Sequence, residues 1–331
     1  MANSSFTLCT YNIRFILDRW DERRPFLEDA LTRTGADVFA LQEVNIGHYW
    51  GQHHELRALL STQDAALSAF PSPGARVYIQ AIPLLGYLFR CGNPLAAVFY
   101  DGCAWFNKRC LGAILGRFTQ AIYHRPILRA LTFVGLGSAW VFGTALLAKD
   151  ELAPAAHDTL ILSDWKVAQC VQLTVGGSVV LVANVHLSSG GDEEGLRTDQ
   201  ITKTIEWLLA MQTETIAGIV IVGDFNCVPN GDCYRAIQAL GFRSAHQLIH
   251  GKEPEKTFHQ GLEAPTKDVD DEKTLDYVFV YGQVTPQTIN VIGTECCNDD
   301  TTLYPSDHFG LVAKLLVSES PRPAEAATAD A

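Results

Sequence analysis

Apolar and polar residues alternate with period two over residues 6–13, which predicts a strand. The period then changes. Over residues 23–34, Phe26, Leu27, Ala30 and Leu31 recur at helical spacing, and Gly35 closes the predicted helix as a residue free to turn left-handed. The compact apolar run 38–43 reads as a buried strand ending in Glu43, and 54–67 reads as a helix. Residues 164–174 and 178–187 form two predicted strands around Gly176-Gly177, a hairpin signal. A helix is predicted over 196–212, with Ile201, Ile205, Leu208 and Leu209 on one face. Residues 219–222 form a short apolar strand leading to Asp224, 234–240 a short helix closed by Gly241, and 275–281 and 310–317 two more strands. Hairpins and helical crossovers are mixed along the whole chain. The predicted class is α/β: a two-sheet, four-layer sandwich with its helices outside.

The reactive side chains are not scattered. Tyr11-Asn12, Gln42-Glu43, Asn184-Val185-His186-Leu187, Gly223-Asp224-Phe225-Asn226, Leu275-Asp276-Tyr277 and Ser306-Asp307-His308 each end or follow a strand-like apolar run. Strand ends are rigid and the loops beyond them open, so one site gathering these acids, amides and imidazoles is expected. Glu43, at the end of a buried strand, is a candidate metal ligand, with Asn12 beside it. If strand geometry continues past Asp224, Asp224 and Asn226 share a face.

Together these six runs, in this order and over residues 6–317, resemble the endonuclease/exonuclease/phosphatase superfamily, whose fold is deoxyribonuclease I-like. The resemblance implies a phosphodiester hydrolase. Such chemistry needs a cation to neutralise developing charge, a base for the attacking water and help for the leaving group. Mg2+, with Mn2+ as a substitute, is the implied cofactor, because a hard cation takes oxygen ligands. Glu43, Asn12 and Asp307 are the expected metal-side residues. Asp224 is expected to activate water, and Asn226 to bind the phosphate or orient the acid. His308 is expected to contact the scissile phosphate while Asp276 accepts its other N–H. His186 is the second expected phosphate-binding imidazole. Asn184, Arg197 and Gln200 are assigned to support. His48, His53, His54, His124 and His259 have no motif around them and are assigned to surface or packing.

Composition narrows the rest. The chain has 331 residues, 47% of them hydrophobic, with no long linker and no repeat, so one catalytic domain over 1–317 is expected, followed by a disordered tail at 318–331. The start, Met-Ala-Asn-Ser-Ser, is not a secretory signal. Nine cysteines without metal-ligand spacing fit free thiols in a reducing compartment, so a cytoplasmic protein is expected, with membrane association as the alternative.

The net charge of −12 argues against a non-specific nucleic-acid binder. Yet residues 71–149 carry eight Lys and Arg against Asp101 alone, a local +7 that leaves −19 on the remainder. Within that stretch, 82–136 reads as an apolar, basic insertion offering a membrane-surface or protein contact. The eighteen uncharged residues 131–148 reach the length of a membrane span, but 140–147 reads better as a buried strand, so no transmembrane span is favoured.

Two substrates remain open. The insertion favours a lipid phosphodiester, as in sphingomyelinase-like enzymes. The run Asp224-Phe225-Asn226-Cys227-Val228-Pro229 with Tyr234 favours nucleic acid, as in nucleases and deadenylases. An inactive scaffold is the minor alternative, disfavoured by the complete set of acids and imidazoles.

Overall fold

The computed structural model describes residues 4–16, 18–46, 51–62, 65–73, 142–163, 166–190, 193–264 and 270–318. The expected insertion at 82–136, His48, His124 and residues 319–331 of the expected tail lie outside the described residues.

Strand alternation builds the centre. On β1 (Ser4–Asn12) Phe6 and Leu8 point to one face while Cys9 and Tyr11 point to the other. The same split runs through β2 (Val38–Asn45), β4 (Phe142–Lys149), β7 (Ser178–His186), β8 (Ile216–Asp224) and β10 (Asp276–Gly282). One set, including Leu8, Ala40, Val182, Val220, Val278 and Leu315, fills the space between two sheets. The outer faces are covered by helices, as amphipathic elements require. Cys9, Phe39 and Leu41 lie with Leu27 and Leu31 of α1 (Trp20–Arg33) and Leu56 of α2 (Gln52–Leu60). Ile219, Ile221 and Phe279 lie with Ile201, Ile205 and Leu208 of α3 (Glu194–Met211) and with Tyr234 and Ile237 of α4 (Asp232–Ala239). The result is the expected α/β sandwich.

The remaining elements complete it: β3 (Leu67–Pro73), β5 (Ala155–Ile161), β6 (Val167–Val175), β9 (Arg243–Ser244), α5 (Ala245–His250), β11 (Val284–Ile292) and β12 (Gly310–Val317). The first sheet runs β11-β12-β1-β2-β4-β3 and the second β5-β6-β7-β8-β10-β9. Each has one parallel pair, β1–β2 and β7–β8, joined through α1 and α3.

One expectation changes. The helix expected over 54–67 is α2, which stops at Leu60; Leu67 already opens β3, its N–H bonded to Ser61 Oγ at 3.1 Å. Leu67–Pro73 pairs with β4 as an edge strand, where Pro71 and Pro73 are tolerated because one side needs no ladder donors. Strands β5, β9 and β11 went unread. The stretch expected as strand at 140–147 is β4, so the uncharged run 131–148 is not one continuous helix. Among the described residues no helix is long and apolar enough to cross a membrane.

Candidate active site

The inner faces of the central strands turn polar at one end. On β1 the series Phe6, Leu8 continues as Thr10 and Asn12; on β7 Val180, Val182 continues as Asn184 and His186; on β8 Val220, Val222 continues as Asp224. β10 runs antiparallel to β8 and starts with Asp276 opposite Asp224, while His186 pairs with Asp224 from the other side. One rung of the second sheet therefore carries His186, Asp224 and Asp276, all buried.

A layer of amides separates this rung from the apolar core. Gln42 Nε2 donates to Asn184 Oδ1 at 2.7 Å and to Thr10 Oγ1 at 3.0 Å; Asn184 Nδ2 donates to the Leu41 carbonyl at 3.0 Å. These bonds fix the spacing of the two sheets where their polar ends meet. Asn184 thus supports the site from beneath.

Glu43 reaches the site by leaving the strand. Simple alternation after the inward Gln42 would turn it toward the helices. The β2–β4 register shifts between Leu41 and Val44, and Glu43 takes a left-handed φ of 51°. This bulge re-aims its carboxylate into the cleft. Asn12 Nδ2 donates to Glu43 Oε1 at 3.2 Å and to Asp224 Oδ2 at 3.0 Å, while Asn12 Oδ1 accepts the Arg14 N–H at 3.0 Å. Asn12 therefore stands between two carboxylates with its N–H groups toward both.

Strand geometry does not continue to Asn226. β8 ends at Asp224, whose Oδ1 accepts the Asn226 N–H at 2.9 Å in an Asx-type turn, and Asn226 is left-handed with φ 51°. Its Nδ2 donates to the Leu187 carbonyl at 3.1 Å. Asn226 still lines the cleft, placed there by the turn rather than by a shared strand face. Beside it, Arg197 donates to the Gly190 carbonyl at 2.6 Å and Gln200 accepts the Ser188 N–H at 2.9 Å, bracing the loop after β7.

The two imidazoles differ in charge. His308 Nδ1 bonds Asp276 Oδ2 at 2.8 Å, and His308 Nε2 lies 3.9 Å from Asp224 Oδ2. Burial alone would lower the pKa of His308, but the carboxylates of Asp276 and Asp224 outweigh it and raise it to about 10. His186 Nε2 lies 3.6 Å from Asp224 Oδ2 and 3.8 Å from Glu43 Oε1. It also meets the ammonium of Lys166. Burial, then Lys166 and His308, hold His186 well below its ordinary pKa, so it is neutral. Asp224 is raised to about 6, by burial and by Asp276.

Asp307 is buried and ion-paired to Arg14, which also holds Asp18 at 2.7 Å. Burial opposes ionisation of Asp307, but Arg14, His308 and Arg23 prevail and lower its pKa. The loop that carries Arg14 is tied from α1: the buried Arg23 donates to the carbonyls of Ile13, Arg14, Phe15, Asp18 and Pro305.

A cleft of about 500 Å3 opens here, lined by Arg14, Glu43, His186, Asp224, Asp307 and His308, with Asn226, Val228, Phe258, Lys273 and Leu275. The structure thus brings Glu43, His186, Asn226, Asp224, Asp307 and His308 onto one cleft, with Asn12 and Asp276 bonded directly behind them. Sequence reasoning missed Arg14, Arg23 and Lys166. Arg14 stands two residues after Asn12, a hint from proximity; the other two carried no local signal.

The family model described as Endonuclease/Exonuclease/phosphatase family matches residues 9–308. No curated protein sequence matches the chain. Solved structures share its fold. A D. rerio TDP2 complexed with single strand DNA product has 15% identity and a TM-score of 0.59, covering 94% of this chain and 99% of that one. The human Nocturnin catalytic domain with bound sulfate anion has 18% identity and a TM-score of 0.58, covering 95% and 94%. An endonuclease/exonuclease/phosphatase from Bacteroides vulgatus has 15% identity and a TM-score of 0.58, covering 96% and 100%.

Proposed function

Since this chain belongs to the endonuclease/exonuclease/phosphatase family, we propose that it hydrolyses a phosphodiester by attack of water in the cleft between Asp224 and His308. The observation that carries this reading is the chain of contacts Asp276–His308–Asp224, at 2.8 and 3.9 Å, beside Glu43. It sets a charged donor against a carboxylate able to take a proton.

In this reading Asp224, oriented by Asn12 and by the Asn226 N–H, accepts the proton of the attacking water. His308, held by Asp276, presents its Nε2–H to a phosphate oxygen and stabilises charge that grows as the new P–O bond forms and the old one breaks. Lys166 brings a second positive charge to the opposite edge. His186, neutral with Nε2 engaged by that ammonium, orients the cation instead of carrying the charge itself.

Glu43 and Asp307 offer carboxylate oxygens that suit a hard divalent ion, and Asn12, with its N–H groups on Glu43 and Asp224 and its oxygen on the Arg14 N–H, would hold the Glu43 carboxylate in place for it rather than coordinate the ion itself. Mg2+, or Mn2+ in its place, held there would neutralise charge on the phosphate. Ligand atoms of Asp224, Asp276 and His308 also lie within 4.8 Å of one another. His308 Nδ1 is committed to Asp276 and the ring holds its proton, so this cluster is better suited to moving a proton than to binding an ion.

For the substrate, a sphingomyelinase-like lipid phosphodiester is the leading reading, supported by the apolar, basic composition of 82–136 against an acidic remainder. Nucleic acid is the second, supported by the similar fold of a TDP2 solved with single-strand DNA product. The deciding assay measures Mg2+-dependent hydrolysis of sphingomyelin in mixed micelles beside single-stranded RNA and DNA, with and without chelator, using His308→Ala as blank. Phosphocholine release supports the first reading and nucleotide release the second. Silence on all of them, extended to a panel of other phosphoesters, overturns the hydrolase reading and favours a scaffold.

A further inference from the structure

We propose that His259 is a positioning residue that sets the His308–Asp276 contact by clamping the Ser306-Asp307-His308 turn. The inference rests on the reading of His308 as the phosphate-facing group. His308 and Asp276 come from segments far apart in sequence, and one short stretch, Thr257-Phe258-His259, is bonded to both. Thr257 Oγ1 accepts the N–H groups of Leu275 at 2.9 Å and Asp276 at 3.0 Å, which fixes the backbone of the carboxylate. The Phe258 ring packs edge-on against the His308 ring at 5.4 Å. The His259 N–H donates to the Asp307 carbonyl at 3.0 Å, and His259 Nε2 bonds the Ser306 carbonyl, also at 3.0 Å.

The ring's second nitrogen is also used: His259 Nδ1 accepts the Gly261 N–H at 3.0 Å. Accepting at Nδ1 and donating at Nε2 defines one neutral tautomer. The side chain is buried, stacked on Phe309 at 4.2 Å and against Tyr304 at 4.6 Å. On its far side the same turn is tied to the metal half of the site, because Ser306 Oγ donates to the Asn12 carbonyl at 2.7 Å. The turn carrying His308 is therefore held between two anchors, Asn12 on one side and His259 on the other. An aromatic ring alone would fill the space, but only a donor on that edge holds the Ser306 carbonyl.

The test compares His259→Phe, which keeps the stacking, with His259→Gln, which keeps a donor. In 15N-histidine-labelled full-length protein without substrate, the low-field Nδ1–H resonance of His308 (assigned by its loss in His308→Ala) reports the pairing with Asp276. His259→Phe is expected to lose that resonance, and His259→Gln to retain it. On a substrate the wild type turns over, kcat of His259→Phe falls by about tenfold or more with KM little changed, as misplacement of a catalytic group does. A lower Tm with the resonance and kcat intact in His259→Phe overturns the proposal and leaves a packing role. Should His259→Phe fail to fold, the resonance in His259→Gln decides: kept supports the clamp, lost overturns it. The resonance is read without turnover, so a wild type inactive on every phosphoester defeats the proposed function while a variant-dependent resonance still supports the clamp.

Discussion

Lys166 touches His186 Nε2 with its ammonium, and this contact adds to burial in holding His186 neutral at that edge of the cleft. The Lys166 backbone is fixed by its carbonyl, which accepts the N–H groups of Leu162 at 3.0 Å and Ser163 at 3.1 Å in the turn between β5 and β6. Replacing it with Met keeps much of the stem volume and removes the cation. His186 should then titrate at a higher pH, still below its ordinary value because burial remains, and turnover should fall by about 10²-fold. Imidazole NMR of His186 and steady-state rates check both parts; unchanged rates would remove Lys166 from the chemistry.

Glu43→Ala should weaken binding of Mg2+ or Mn2+, read by calorimetry, and lower turnover by roughly 10²-fold or more while leaving the fold intact. The carboxylate sits on a bulge outside the ladder, so little packing depends on it. Wild-type metal affinity in this variant would move the ion elsewhere in the cleft.

Asp224→Asn removes the proposed base while filling the same space. Turnover should drop by about 10³-fold or more, with the metal still bound. The raised pKa of Asp224 marks its ionised form as unfavourable in the folded protein, so the melting temperature should hold or rise. Near-wild-type activity in purified Asp224→Asn sinks the assignment.

The pairing of His308 carries a pH signature in metal-free protein. Its folded pKa, about 10, lies above the ordinary 6.5. The folded state therefore binds this proton more tightly than the unfolded chain does. The resulting stabilisation is present in full below about pH 6.5 and is lost as pH rises through about 10. Melting temperatures in chelator should show the wild-type advantage over His308→Ala shrinking between pH 6.5 and 10. An advantage that grows across that interval would contradict the His308–Asp276 pairing.

Gly223→Ala tests how the acid is delivered. Gly223 has φ +136°, and a Cβ there would lie 2.0 Å from the Val185 carbonyl oxygen in the neighbouring strand. The substitution should cost on the order of 2–4 kcal/mol and displace Asp224. Denaturant unfolding beside rates measures it; an unperturbed variant would show that β7 and β8 can part locally.

Much of this was legible in the chain itself. Period-two runs and helical spacing gave the layers, because burying one face of each element leaves few other arrangements. The polar endings of those runs pointed to where the reactive groups gather, since the inner face of a strand that ends at a site must change character there. What the sequence could not reveal was the outcome of contacts between distant segments. Alternation would have turned Glu43 toward the helices, and a bulge returned it to the cleft. Continued strand geometry would have placed Asn226 beside Asp224, and an Asx turn seated it instead. The opposite charge states of His186 and His308 depend on burial and Lys166 for the one and on Asp276 and Asp224 for the other, all brought about by the fold. The contacts of His259 were hidden for the same reason: the carbonyls of Ser306 and Asp307 that it bonds lie more than forty residues away. Periodicity reports which face a residue shows to the core. Charge state and aim depend on neighbours that come together only when the two sheets close.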